Sequence, residues 1–225
     1  MSHLEAGTPA GEFGAGYWDD RYRSGEGGGR HSPSPALVTE TADLEPGRAL
    51  DAGCGRGADA LWLAARGWHV TAVDVSATAL DRARAAARSA VPALAERVEW
   101  VHADLSTWTP DEGRYDLVTS QYVHVPGPVE ELFSRLASWV APGGTLLVVG
   151  HGHEEGQHHE HGPAAGSQVG TRQVTDGLPE DEWDVLVAGS RTHTVRRGDT
   201  GTSTRHDAVV RARRRSASHV RSAGT

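Results

Sequence analysis

The sequence predicts an α/β protein, a doubly wound, mainly parallel sheet of seven strands that ends in an antiparallel hairpin at its C-terminal edge. Three observations carry this expectation. Short apolar runs alternate with helical segments from about residue 47 to 150, the order of successive βαβ units with right-handed crossovers. A glycine-rich turn, Gly53-Cys54-Gly55-Arg56-Gly57, separates the first apolar run from the helix after it. The last two runs, Trp183–Ala188 and Ala208–Ala212, have no helix between them, and two such strands pair antiparallel.

The elements follow in order. Residues 1–16 are rich in Gly, Ala and Pro and read as a flexible N-terminal tail. Tyr17–Arg23 concentrates aromatic and charged residues and suggests a short helix; 24–34 is a loop. Pro35–Ala42 reads as a helix opened by proline, and Pro46-Gly47 turns into the first strand, which ends at Ala52. Asp59–Arg66 is a helix, His69–Asp74 a strand, and Ala77–Ala90 a helix with Leu80, Ala83 and Ala87 on one face. Val98–Asp104 and Tyr115–Gln121 are strands, and Val129–Val140 is a helix that Pro142-Gly143-Gly144 ends. Thr145–His151 is built on the apolar run Leu146–Val149 and reads as a strand buried on both faces. Residues 151–178 form an irregular, His-rich insertion with a short helix within 168–178, and 196–205 reads as turn-rich. The expected organisation is one domain over 17–215 and a C-terminal tail over 216–225.

Composition narrows the classes. A formal charge of −8 gives no electrostatic reason to bind nucleic acid or an anionic membrane. The single cysteine, Cys54, rules out an internal disulfide and suits a reducing compartment. No apolar run reaches the roughly 18 residues of a membrane span, and the N-terminal residues do not read as a signal peptide, so a cytoplasmic location is expected. Lys, Ile and Asn are absent, which points to a GC-rich, bacterial genome. Without lysine there is no Schiff base and no P-loop lysine.

The glycine turn is where ligand chemistry concentrates. Glycines there allow positive φ and close approach of a ligand to the backbone, and the following helix aims its N-terminal N–H groups at the same place. Asp74 closes the second strand, 21 residues after Gly53, where a βαβ unit sets a carboxylate against a ribose diol. Gly53-x-Gly55-x-x-Ala58 fits the loose dinucleotide fingerprint, so an NAD(P)-dependent oxidoreductase is one alternative. Asp51, before the first glycine, gives D-x-G-x-G-x-G instead, and Asp104 closes the third strand as a further acid.

With Tyr17–Tyr22, Leu50–Gly57, Val73–Ser76, His102–Leu105, Tyr115–Val118 and Pro142–Leu147 on one chain, the sequence resembles bacterial class I S-adenosylmethionine (SAM) dependent methyltransferases of small molecules. The likeness is to the tellurite-resistance and thiopurine methyltransferase-like group, spans about 17–212, and implies a Rossmann-like fold. It implies SAM as cofactor, its methionine part held by the turn of Asp51, Gly53, Cys54, Gly55 and Gly57. It implies Asp74 on the ribose hydroxyls, Val75 on the adenine face, and Asp104 with the Leu105 N–H at the adenine edge. Gln121 would face the sulfonium and the acceptor. Trp18 and Tyr22 would close over the cofactor, with Arg23 or Arg21 at the methionine carboxylate. Asp74 and Asp104 could instead cap turns, and Trp18 and Tyr22 could simply pack a helix. The sequence departs from the family in the loop after the first helix, where glycines and Arg30–Pro35 stand in place of a tryptophan.

Methyl transfer rests mainly on alignment and exclusion of water, and a hydroxyl acceptor also needs a base. His124 and Tyr122, after the fourth strand, are the candidates together with Gln121; His151 follows the fifth strand. Cys54 reads as a small filler of the turn. Five of the thirteen histidines fall within 151–161, which a transition metal could use, but the run lacks H-E-x-x-H and is glycine-rich, so no metal is expected. A protein that keeps the fold and only binds SAM or metal is the third reading. The expected partner is a small-molecule methyl acceptor, and the expected state is a monomer or homodimer.

Overall fold

Strand β1 (Arg48–Ala52) forms because its Ala49, Leu50 and Ala52 are enclosed on both faces of a sheet. In the computed structural model, which describes residues 13–25, 32–90, 92–111, 113–152, 169–197 and 201–216, six further strands join it. They are β2 (His69–Asp74), β3 (Val98–His102), β4 (Tyr115–Gln121), β5 (Val140–His151), β6 (Trp183–Arg197) and β7 (Gly201–Arg214). The sheet order is β3-β2-β1-β4-β5-β7-β6. The first five strands are parallel, and β7 is antiparallel to both β5 and β6. The expected hairpin is therefore present, and among the described residues no sixth parallel strand follows β5, which a dinucleotide-binding sheet would add.

The helices are α1 (Ala15–Ser24), α2 (Pro35–Glu40), α3 (Ala58–Ala65), α4 (Ala77–Ala90), α5 (Pro92–Ala95), α6 (Val129–Ser138) and α7 (Thr171–Thr175). Leu37 of α2, Leu63 of α3 and Leu80 of α4 pack with Val70, Leu117 and Leu147 on one face of the sheet. Leu132 and Leu136 of α6 and Val174 of α7 pack with Leu50, Val118 and Leu146 on the other. Leu136 is wholly enclosed, and truncating such a residue to Ala costs about 2–5 kcal/mol.

Two expectations are corrected. Pro142-Gly143-Gly144 does not separate α6 from β5; it lies inside β5 as an irregularity, where the pairing shifts between Tyr115 and Leu117 of β4. A Cβ on Gly144 would lie 3.0 Å from the carbonyl oxygens of Tyr115, Asp116 and Ala141, tight enough that the backbone around it would have to give way. The segment 196–205 is mostly strand, with pairs from Ser190↔Ala208 out to Arg197↔Gly201. This ribbon runs past the end of β5, and its sequence is mostly Thr, Arg, Ser and His, so no alternation of apolar residues marked it as strand.

Parallel pairing sets the carboxyl ends of β3, β2, β1, β4 and β5 along one edge. Ala52 lies opposite Val73 and Ser120, Asp74 opposite His102, Gln121 opposite Val149, and His151 opposite Asp207.

Candidate active site

The turn after β1 is sewn to β2, because the Val73 carbonyl accepts from the N–H groups of both Gly53 (2.8 Å) and Cys54 (2.9 Å). Gly53 has φ +77°, and a Cβ there would lie 2.2 Å from a Val123 methyl. Gly55 has φ +53°, and a Cβ there would lie 2.7 Å from the Tyr22 hydroxyl. Gly57 is the N-cap of α3. Asp74 braces this turn: one carboxylate oxygen accepts from the Gly55 N–H (2.7 Å), the other from the Ser76 N–H (2.8 Å). Burial raises its pKa, and the two N–H bonds oppose the rise. Each oxygen keeps a further lone pair for a hydroxyl donor.

Cys54 is buried in the turn, and its thiol is pushed well above the usual range by burial first and then by Asp51 and Asp74. A thiol so buried and protonated is poorly disposed to act as a nucleophile. Asp51 is buried within β1, opposite Ala72 and Thr119. Asp104 caps the turn after β3: a carboxylate oxygen accepts from the Ser106 N–H (2.8 Å), and its carbonyl from Thr107 and Trp108. Leu105 packs into the core, and Val75 is half-buried with its carbonyl 3.0 Å from the His102 ring.

Helix α1 lies over the turn. Tyr22 is buried there, its hydroxyl kept protonated by burial and by the nearby Asp74 charge. Trp18 stands 6.5 Å from Tyr22 and 5.9 Å from His124, ring to ring. Asp19 fixes the helix, accepting from the Ser76 hydroxyl (2.6 Å) and the Thr78 N–H (3.1 Å). Arg23 is exposed and pairs with Asp20 and Asp19. Arg21 donates to the Tyr17 hydroxyl (3.1 Å), and its charge is felt at both Tyr22 and His124.

The β4 and β5 ends carry imidazoles and aromatics. The Gln121 amide donates to the Thr119 hydroxyl (2.8 Å), while its carbonyl oxygen is buried with no hydrogen-bond partner among the described residues. Tyr122 has φ +57°, its N–H on the Val149 carbonyl (2.7 Å) and its hydroxyl on Asp207 (2.6 Å). His124 sits among Phe13 (5.4 Å), Trp18 and His151 (6.1 Å). Burial, then the His151 charge, lower its pKa to about 4, and its Nδ1 has no hydrogen-bond partner among the described residues. His151 packs against Tyr122 with the rings tilted and their centroids 4.7 Å apart.

The structure thus gathers Tyr22, the glycine turn, Asp74, Trp18, Gln121, Tyr122, His124 and His151 along one edge, and leaves Arg23 outside. It adds Phe13, Asp19, Ser76 and Asp207, which the sequence reading missed. An acid directly before the apolar run Ala208–Ala212 was the one available signal for Asp207. Among the described residues no three His, Cys, Asp or Glu side chains cluster as a metal site. Residues 153–161, where the histidines concentrate, lie outside the described ones. No described helix is long and apolar enough to cross a membrane.

A sequence profile for a methyltransferase domain matches residues 49–144. An uncharacterized methyltransferase of Mycobacterium tuberculosis is 37% identical over 115 residues, which is 51% of this chain and 55% of that protein. A probable thiol methyltransferase 2 of Arabidopsis thaliana is 31% identical over 144 residues, 61% of this chain and 62% of that protein. The chain therefore spans little more than half the length of the curated relatives it matches. Among solved structures, one from work on the conversion of a disulfide bond into a thioacetal group during echinomycin biosynthesis superposes with TM-score 0.68. It is 25% identical, with 91% of this chain and 93% of that one covered. TehB from Haemophilus influenzae superposes with TM-score 0.65 at 15% identity, covering 88% of this chain and 66% of that one, a likeness of fold. Residues 49–144 of this chain thus match a methyltransferase domain, and over most of its length the chain has the fold of the solved structures above, which supports a class I SAM-dependent methyltransferase.

Proposed function

We propose that this protein transfers a methyl group from SAM to a small-molecule acceptor by in-line displacement. The carrying observation is the juxtaposition of the glycine turn, Asp74 and the Gln121 carbonyl oxygen beneath Tyr22 and Trp18. These residues suit the cofactor. The backbone of Gly53 and Gly55 tolerates close approach, Asp74 keeps lone pairs for ribose hydroxyls, and the Gln121 oxygen is a buried acceptor in want of a donor. Arg21, not Arg23, is the cation on the site side of α1. When bound, SAM supplies a methyl group already activated on a sulfonium. The protein's part is to align the acceptor and keep water out, and the rings of Phe13, Trp18, Tyr122 and His151 line that space.

The acceptor class that suits the site is a thiol. His124 is neutral at pH 7 and, with a pKa of about 4, is mismatched as a base for a hydroxyl. A thiol of pKa near 8.5 supplies its own thiolate, roughly a few per cent at pH 7. The naming of one relative as a thiol methyltransferase, and the sulfur chemistry associated with the structure at TM-score 0.68, support this reading. The test is S-adenosylhomocysteine (SAH) formation from SAM with matched panels of small thiols, amines and alcohols. Turnover with thiols is expected; turnover confined to alcohols contradicts the acceptor class.

A further inference from the structure

Tyr122 is pinned at both ends in a backbone conformation that tyrosine rarely takes. Its φ is +57°, its N–H is held by the Val149 carbonyl of β5, and its hydroxyl donates 2.6 Å to Asp207 of β7. Asp207 is 3% exposed and sits opposite His151, the last residue of β5. A buried carboxylate accepting from a phenol makes a short, charge-assisted bond, which is strong enough to fix the ring. Two residues further on, His124 is turned inward among Phe13, Trp18 and His151. The charged and titratable groups around this ring are His151 of β5 and Arg21 of α1.

We propose that Asp207 is a positioning residue for the acceptor site: through the Tyr122 hydroxyl it holds the loop 121–125 so that His124 faces the carboxyl edge of the sheet. This rests on the reading above that the acceptor lies among the rings of Phe13, Trp18, Tyr122 and His151, of which Phe13, Trp18 and His151 surround His124. The C-terminal hairpin, remote from the glycine turn in sequence, thereby shapes the acceptor half of the site, while Asp74 and the turn shape the cofactor half.

The test follows the His124 ring by NMR across pH in the full chain, with the signal assigned by loss in His124→Gln, and measures SAH binding by calorimetry in parallel. In the wild type His124 is expected to stay neutral down to about pH 4, because its ring is buried beside His151. In Tyr122→Phe and Asp207→Ala the ring is expected to swing toward water, and its midpoint to rise by at least about one unit toward the ordinary 6.5. Asp207→Asn, whose amide oxygen still accepts from the phenol, is expected to restore the wild-type midpoint, which a general loss of packing would not allow. SAH affinity should change less than about threefold in Tyr122→Phe, under 0.7 kcal/mol. An unchanged midpoint in both Tyr122→Phe and Asp207→Ala would overturn the proposal, and so would failure of Asp207→Asn to restore it. Absence of SAH binding by the wild type would instead remove the methyltransferase reading, and the ring titration would still judge Asp207.

Discussion

The Asp19 carboxylate accepts a 2.6 Å hydrogen bond from the Ser76 hydroxyl, joining the helix that covers the site to the first turn of α4. The same carboxylate accepts from the Thr78 N–H, so it caps α4 while clamping α1. Ser76 is in turn bound through its N–H to Asp74. Cover, cap and glycine turn are thus one hydrogen-bonded chain. Asp19→Ala removes the two hydrogen bonds that tie α1 to the start of α4, each worth about 0.5–1.5 kcal/mol, while the Ser76 hydroxyl still caps the Ala79 N–H. The expected outcome is faster hydrogen exchange confined to residues 15–24 and 76–79, with the remaining core protected as before.

Gly53→Ala is expected to destabilise by about 2–4 kcal/mol, from the positive φ and from overpacking against Val123. Val123→Ala in the same chain should recover the packing part and leave the φ part. Denaturant midpoints of the single and double variants separate the two.

His124 gives stability a definite pH dependence. Its folded pKa of about 4 lies below an unfolded value near 6.5, so between these values the unfolded chain holds the extra proton. The wild type should therefore lose stability as pH falls through this window, by at most about 3 kcal/mol. His124→Phe should lose less over the same range. The difference between the two curves isolates the one residue from the other titrating groups.

Cys54 should be silent toward thiol reagents in the native state and react at the rate of a free thiol in denaturant, since burial holds it protonated. Labelling at the native rate of a small exposed thiol would contradict its place inside the turn.

Most of the sheet was legible because its core strands are short apolar runs between glycine or helix signals, as in Thr145–His151 and His69–Asp74. The antiparallel hairpin at the sheet edge was legible because the sequence shows no helical pattern between the apolar runs that end at 188 and begin at 208. The paired stretches 190–197 and 201–206 were not, because their sequence is mostly Thr, Arg, Ser and His, without the apolar alternation that reveals period two. The irregular start of β5 was hidden for a different reason: Pro142-Gly143-Gly144 signals a break, and whether the chain stops or bulges depends on β4 beside it.

The acids and glycines of the cofactor half were readable because their spacing follows from one βαβ unit. The acceptor half was not, because its partners come from distant segments. Phe13, Tyr122, His151 and Asp207 meet only once the sheet is assembled. Arg23 and Arg21 differ by two positions on a helix, and helical geometry sends one to solvent and the other toward His124.

The most direct test of the account is calorimetric titration of the full chain with SAM and with SAH, beside Asp74→Ala. The account predicts binding of both ligands at roughly micromolar affinity or tighter, near −8 kcal/mol. It predicts a loss of at least about tenfold in Asp74→Ala, the cost of a hydrogen bond to a charged group. No heat with either ligand at millimolar concentration, or equal affinity in the variant, would contradict it.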